Sequence, residues 1–61
     1  AIHRAVEDLP DKLSRVVELY YFAELSHGEI AVALGITETA SRVRLHRAIQ
    51  ELQTIITKEN E

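Results

Sequence analysis

Between Ser26 and Gln50 the chain reads SHGEIAVALGITETASRVRLHRAIQ, and this stretch leaves few folds open. Ser26 and Glu29 stand at capping-box spacing, in which each side chain caps the other residue's backbone N–H and starts a helix. Ile30, Ala31 and Leu34 follow at helical spacing and give that helix one apolar face. Gly35 comes next, where a glycine takes the left-handed conformation that ends a helix. Ile36 is expected to tuck under the corner, and Thr37 is a good N-cap for a second helix. A short helix, a tight glycine turn and a longer helix form the helix-turn-helix pattern, whose second helix typically enters the DNA major groove.

The second helix divides cleanly when it is wound at roughly 100° per residue. Ser41, Leu45, Ala48, Ile49, Leu52 and Ile56 fall on the side expected to face the core. Thr39, Val43, His46 and Gln50 fall on the opposite side, flanked by Arg42 and Arg47. Arg44 lies nearer the core edge, where pairing with an acid of a supporting helix is expected. From Thr39 to Gln50 there are three arginines and no acid, whereas the rest of the chain holds four Lys/Arg and ten Asp/Glu. Positive charge is thus gathered on the helix that would meet phosphates, although the net charge is −3.

The preceding residues read as supporting helices. Ile2, Ala5, Val6 and Leu9 form a short amphipathic series that Leu9-Pro10 breaks, because the residue before proline avoids the helical region. Pro10 suits the first position of a new helix, with Asp11 near its positive end. Leu13, Val16, Val17 and Tyr20 form its stripe, Tyr21 and Phe22 are expected to fill gaps beside it, and Ala23 to Leu25 links to the Ser26 cap. The expectation is an all-α fold, a small four-helix domain containing a helix-turn-helix, with helices at 2–8, 10–23, 27–34 and 38–55. The 61 residues make one domain, with 1–25 as supporting helices, 26–54 as the helix-turn-helix and 55–61 as a fraying tail. The absence of an initial Met and the polar end are those expected of a fragment of something longer.

At this point the residues resemble a family. Leu9-Pro10, Leu25-Ser26, Glu29-Ile30-Ala31, Leu34-Gly35-Ile36 and the run RLHRA from Arg44 to Ala48 are similar to region 4 of bacterial sigma factors. The likeness is greatest to the small extracytoplasmic-function group, and it extends from about Leu9 to Leu52. Single pieces are common among helical proteins, whereas the ordered set is specific. The resemblance implies that Ser26 to Leu52 reads the upstream (−35) promoter element in double-stranded DNA. It also implies packing against the flap of core RNA polymerase, and control by an anti-sigma factor.

Two positions depart from the family pattern. Relatives often carry valine where this chain has Ser41, and a small polar residue where it has Val43. A slightly rotated helix would bury Val43. An unrotated one leaves Val43 outward, within reach of a thymine methyl, and leaves Ser41 to bond back to a helix carbonyl. The candidate DNA-binding residues are Thr37, Thr39, Arg42, Val43, His46, Arg47 and Gln50. Arg42 suits a phosphate or a guanine, Arg47 matches the family run, and Thr37 opens a helix whose free N–H groups can hold a phosphate. The polar ones have plainer alternatives: solvated charges for the arginines, a cap alone for Thr37, and side chains that meet only water for Thr39, His46 and Gln50.

Other classes find little support. The chain has no cysteine, and His3, His27 and His46 are scattered, so no metal and no cofactor are expected. Glu7, Asp8, Asp11 and Glu24 read as solvated surface, and with no nucleophile–base constellation an enzyme is not expected. No apolar run is long enough to span a membrane and no charged-then-apolar stretch marks a signal peptide, so a cytoplasmic location is the default expectation. Two alternatives remain open. One is a sigma-like domain that acts mainly through protein partners such as an anti-sigma factor, which the acidic balance and the Ser41/Val43 exchange favour. The other is the DNA-binding output domain of a response regulator, which RLHRA fits poorly.

Overall fold

The computed structural model describes the backbone of residues 2–59 and the side chains of residues 4–57. Helix α1 spans Ile2–Glu7, α2 Asp11–Val17, α3 His27–Leu34 and α4 Glu38–Glu59. Among the described residues there is no strand. At about 1.5 Å per residue, the 22 residues of α4 account for most of the 38 Å long axis of the molecule. The other helices, α1, α2 and α3, all pack against it.

Leu9 is buried where α1 gives way to α2, so the Leu9-Pro10 break turns the chain without leaving the core. Pro10 sits one residue earlier than expected, at the N-cap of α2 (φ −54°, ψ 145°) rather than in its first turn. Its carbonyl accepts from the N–H groups of Leu13 and Ser14 at 2.9 and 3.0 Å. Beyond Val17 the helix widens into a π-helical turn, Glu18–Phe22, closed by Ala23 N–H donating to the Glu18 carbonyl at 3.0 Å. Glu24 then takes a left-handed conformation, φ 58°. Leu25 N–H closes this corner on the Leu19 carbonyl at 2.9 Å and brings the chain to Ser26. The wide turn and the left-handed glutamate are absent from the sequence expectation, which ran one regular helix to residue 23.

The core is a single apolar cluster. Val6, Val16, Val17, Ile30 and Ala48 are all but sealed from solvent, and Leu13, Leu45 and Leu52 close around them. At ~25 cal/mol per Å² of apolar surface removed from water, each of these valine, leucine and isoleucine side chains stabilises the fold by ~1.5–3 kcal/mol before entropy is counted. Two expectations need correction at the edges. Ile56, expected in the core, is 40% exposed, and Ile55 packs against the cluster instead. The helix expected to end at 55 runs on to Glu59 because no glycine or proline interrupts it and Ile55 anchors that turn. Ala1, Asn60 and Glu61 and the side chains of Ile2, His3, Lys58 and Glu59 lie outside the described residues, and with them the expectations made for these positions.

Candidate nucleic-acid interface

The corner that presents α4 is built by local hydrogen bonds. Glu29 N–H donates to Ser26 Oγ at 3.1 Å, and Ser26 N–H donates to Glu29 Oε1 at 3.0 Å, completing the capping box. The Ser26 backbone N–H first, and then the Ser26 side chain, hold the Glu29 carboxyl below its ordinary pKa by hydrogen bonding to its charged form. Gly35 closes α3 at φ 67°, in the left-handed region where a side chain is strained. Ile36 N–H reaches the Ala31 carbonyl at 3.0 Å, and Ile36 is half-buried under the corner. Thr37 Oγ1 accepts from Ala40 N–H at 3.0 Å and so caps α4.

From there α4 shows two faces. Ser41, Leu45, Ala48 and Leu52 are buried, while Thr39, Arg42, Val43, His46, Arg47 and Gln50 are exposed. The helix is therefore not rotated: Val43 is 45% exposed and Ser41 is fully buried. Ser41 does not bond back to its own helix. Its hydroxyl meets Nδ1 of His27 at 2.8 Å, and the His27 ring stacks on Tyr20 with centroids 4.8 Å apart. This contact ties the π-helical turn, α3 and α4 together, and it satisfies the one buried hydroxyl that replaces an apolar side chain. On the outer face the Gln50 side-chain amide lies within hydrogen-bonding distance of His46 Nε2, 3.3 Å away.

The arginines differ in their surroundings. Arg42 is bound to Glu38 one turn back, at 2.7 Å, with both side chains more than half exposed. Among the described residues Arg44 makes no ion pair, contrary to the expectation that it would meet an acid of a supporting helix. Arg47 is likewise unpaired among the described residues. Both line a groove between α2 and α4, together with Lys12, Leu13, Val43 and Glu51. Lys12 was not singled out by the sequence reading, because only the packing of α2 on α4 brings it beside these arginines. On the other side of α4, an apolar groove runs between Val17, Tyr21 and Phe22 and the residues Ile49, Leu52 and Ile56. Tyr21 and Phe22, expected to fill gaps, are about half exposed on its rim. Among the described residues, no three His, Cys, Asp or Glu side chains gather where a metal ion would be held. No described helix is long and apolar enough to cross a membrane.

Comparisons with known proteins agree with this architecture. The family described as Sigma-70, region 4 matches residues 1–52. The chain is 30% identical over 59 residues to RNA polymerase sigma factor SigV of Bacillus subtilis (strain 168), an alignment that covers 97% of the chain. It spans 36% of that relative's length. No solved structure matches the chain. With the capped corner, the glycine turn and the exposed basic face of α4 in place, the match over most of its length shows that the chain belongs to the sigma-70 region 4 family, whose members are non-catalytic DNA-binding domains of transcription factors.

Proposed function

We propose that α4 enters the major groove of promoter DNA at the upstream (−35) element and so helps direct RNA polymerase to initiate transcription. The observation that carries this reading is the outer face of α4. Thr39, Val43, His46 and Gln50 line up exposed between Arg42 and Arg47, on a helix whose other face is locked into the core. Arg47 and Arg42 serve phosphates or guanine edges, Val43 a thymine methyl, and Thr39, His46 and Gln50 polar base edges. Thr37 holds the free N–H groups of the first turn toward a phosphate. The role needs no cofactor and places the protein in the cytoplasm with the polymerase.

The apolar groove beside Tyr21, Phe22 and Ile56 supports a second, protein-facing contact. It lies away from Val43 and Arg47, so the flap of core polymerase can occupy it while α4 holds DNA. An anti-sigma factor that covers the same groove would compete with the polymerase. The same groove is what favours the alternative in which protein partners dominate and DNA contact is weak. The experiment compares promoter duplexes with intact and scrambled upstream elements, bound by the full-length gene product with core polymerase. Preference for the intact element that is lost in R47A and H46A supports DNA reading. Equal binding to both duplexes transfers the function to the protein-facing groove.

A further inference from the structure

We propose that Lys12, carried by the supporting helix α2, joins Arg44 and Arg47 as a clamp on the DNA backbone along one edge of the recognition helix. The inference rests on the DNA reading above and adds a second element to the interface. A recognition helix is about 10–12 Å across and the major groove about 12 Å wide, so a docked helix fills the groove. Whatever packs directly beside that helix then lies over a phosphate strand. On the Val43 edge of α4 the neighbour is the start of α2, and the side chain it offers there is Lys12.

The charge pattern points the same way. Arg42, on the other flank, is already engaged by Glu38 at 2.7 Å, which offsets part of its charge. Lys12, Arg44 and Arg47 have no such partner among the described residues. They share their groove with one acid, Glu51, which leaves the groove with a net positive charge. Available positive charge is thus shifted from the Arg42 flank toward α2. Contacts at this range dominate over the acidic remainder of the chain, because charges beyond about 8–10 Å are largely screened at physiological salt. Arg44 then has a role that its position near the core edge had hidden: its half-buried stem packs in the groove while its guanidinium joins the phosphate row.

The test uses the full-length gene product with core RNA polymerase, and promoter duplexes in which single phosphates around the upstream element are replaced by neutral methylphosphonate. Wild-type protein loses affinity at each phosphate it contacts. Lys12→Ala is expected to weaken binding about two- to five-fold, the range of an exposed ion pair. It should also abolish the sensitivity at one or two adjacent phosphates and leave the other positions unchanged. Lys12→Arg should restore both. The control is Arg15→Ala, which removes the same charge from an exposed position of α2 that borders Glu18 and Ala33 instead. It should leave every sensitive phosphate sensitive. A Lys12→Ala variant with the full wild-type pattern overturns the clamp and leaves the DNA reading intact. So does an identical loss in both variants, since the effect is then one of net charge. Wild-type protein that binds no promoter duplex under conditions of active transcription overturns the DNA reading and the clamp together.

Discussion

Ser41 is the only polar side chain sealed in the core among the described residues, and its hydroxyl depends on His27. Removing one partner of a buried hydrogen bond leaves the other desolvated and unpaired, at a cost of ~1–3 kcal/mol. His27→Ala should therefore destabilise the domain by ~1–3 kcal/mol, with the lost Tyr20 stacking included. In a Ser41→Ala background the same change should cost clearly less, since no hydroxyl is left stranded. Chemical denaturation of the two single variants and the double variant measures the coupling. Strict additivity would mean that Ser41 is satisfied without His27. The same residue scale explains why the serine is tolerated on a core face at all. Its partner comes from α3, 14 positions earlier, and so the helix need not turn to bury Val43.

At the scale of elements, α4 is held by its buried face, and two substitutions separate that face from the outer one. Leu45→Ala should cost ~2–5 kcal/mol, since a buried leucine leaves a cavity, and this is much of the stability of so small a domain. Val43→Ala should cost far less. Thermal melts that fall equally for both would contradict the orientation of α4. Helix α3 carries a different signature. The Glu29 carboxylate has its pKa depressed by the Ser26 backbone and side chain, so it binds a proton less readily when folded. Its stabilising contribution is therefore present above the ordinary glutamate value of 4.5 and is lost as pH falls through the lower folded value. Denaturation from pH 7 down to about pH 3 should show wild type losing more stability than Glu29→Gln in that window, the other carboxylates being common to both. Parallel curves would show that the capping box does not depend on charge.

These elements also show where the sequence was legible. Capping boxes, glycine stops and helical periodicity involve residues a few positions apart, so Ser26, Glu29, Gly35 and Thr37 announce the corner directly. The buried face of α4 follows from the same periodicity. The π-helical turn and the left-handed Glu24 carry no such signature; they lie just before Leu25, which packs against the core. The His27–Ser41 bond and the Lys12 groove join residues distant in sequence, and only the packing of helices reveals them. The wheel position of Arg44 cannot say whether a neighbouring helix offers it an acid or a lysine.

For the molecule as a whole, the question is how an acidic domain binds a polyanion. Residues 1–38 carry a net charge of −4 and residues 51–61 carry −2, against +3 between Thr39 and Gln50. The proposed docking face offers only a few cations, and each phosphate they neutralise would release ~0.9 counterions. Affinity of the domain alone should be weak, and attachment to polymerase would raise it through effective concentration. The most direct measurement is a titration of promoter duplex with the 61-residue chain across a series of salt concentrations, for wild type and for the Arg42→Ala/Arg47→Ala variant. The account predicts weak binding by the wild type, a log–log salt slope of about −2 to −4, and no detectable binding by a variant that remains folded. Tight binding with a slope near about −8, or a folded variant that binds as well as wild type, would contradict it.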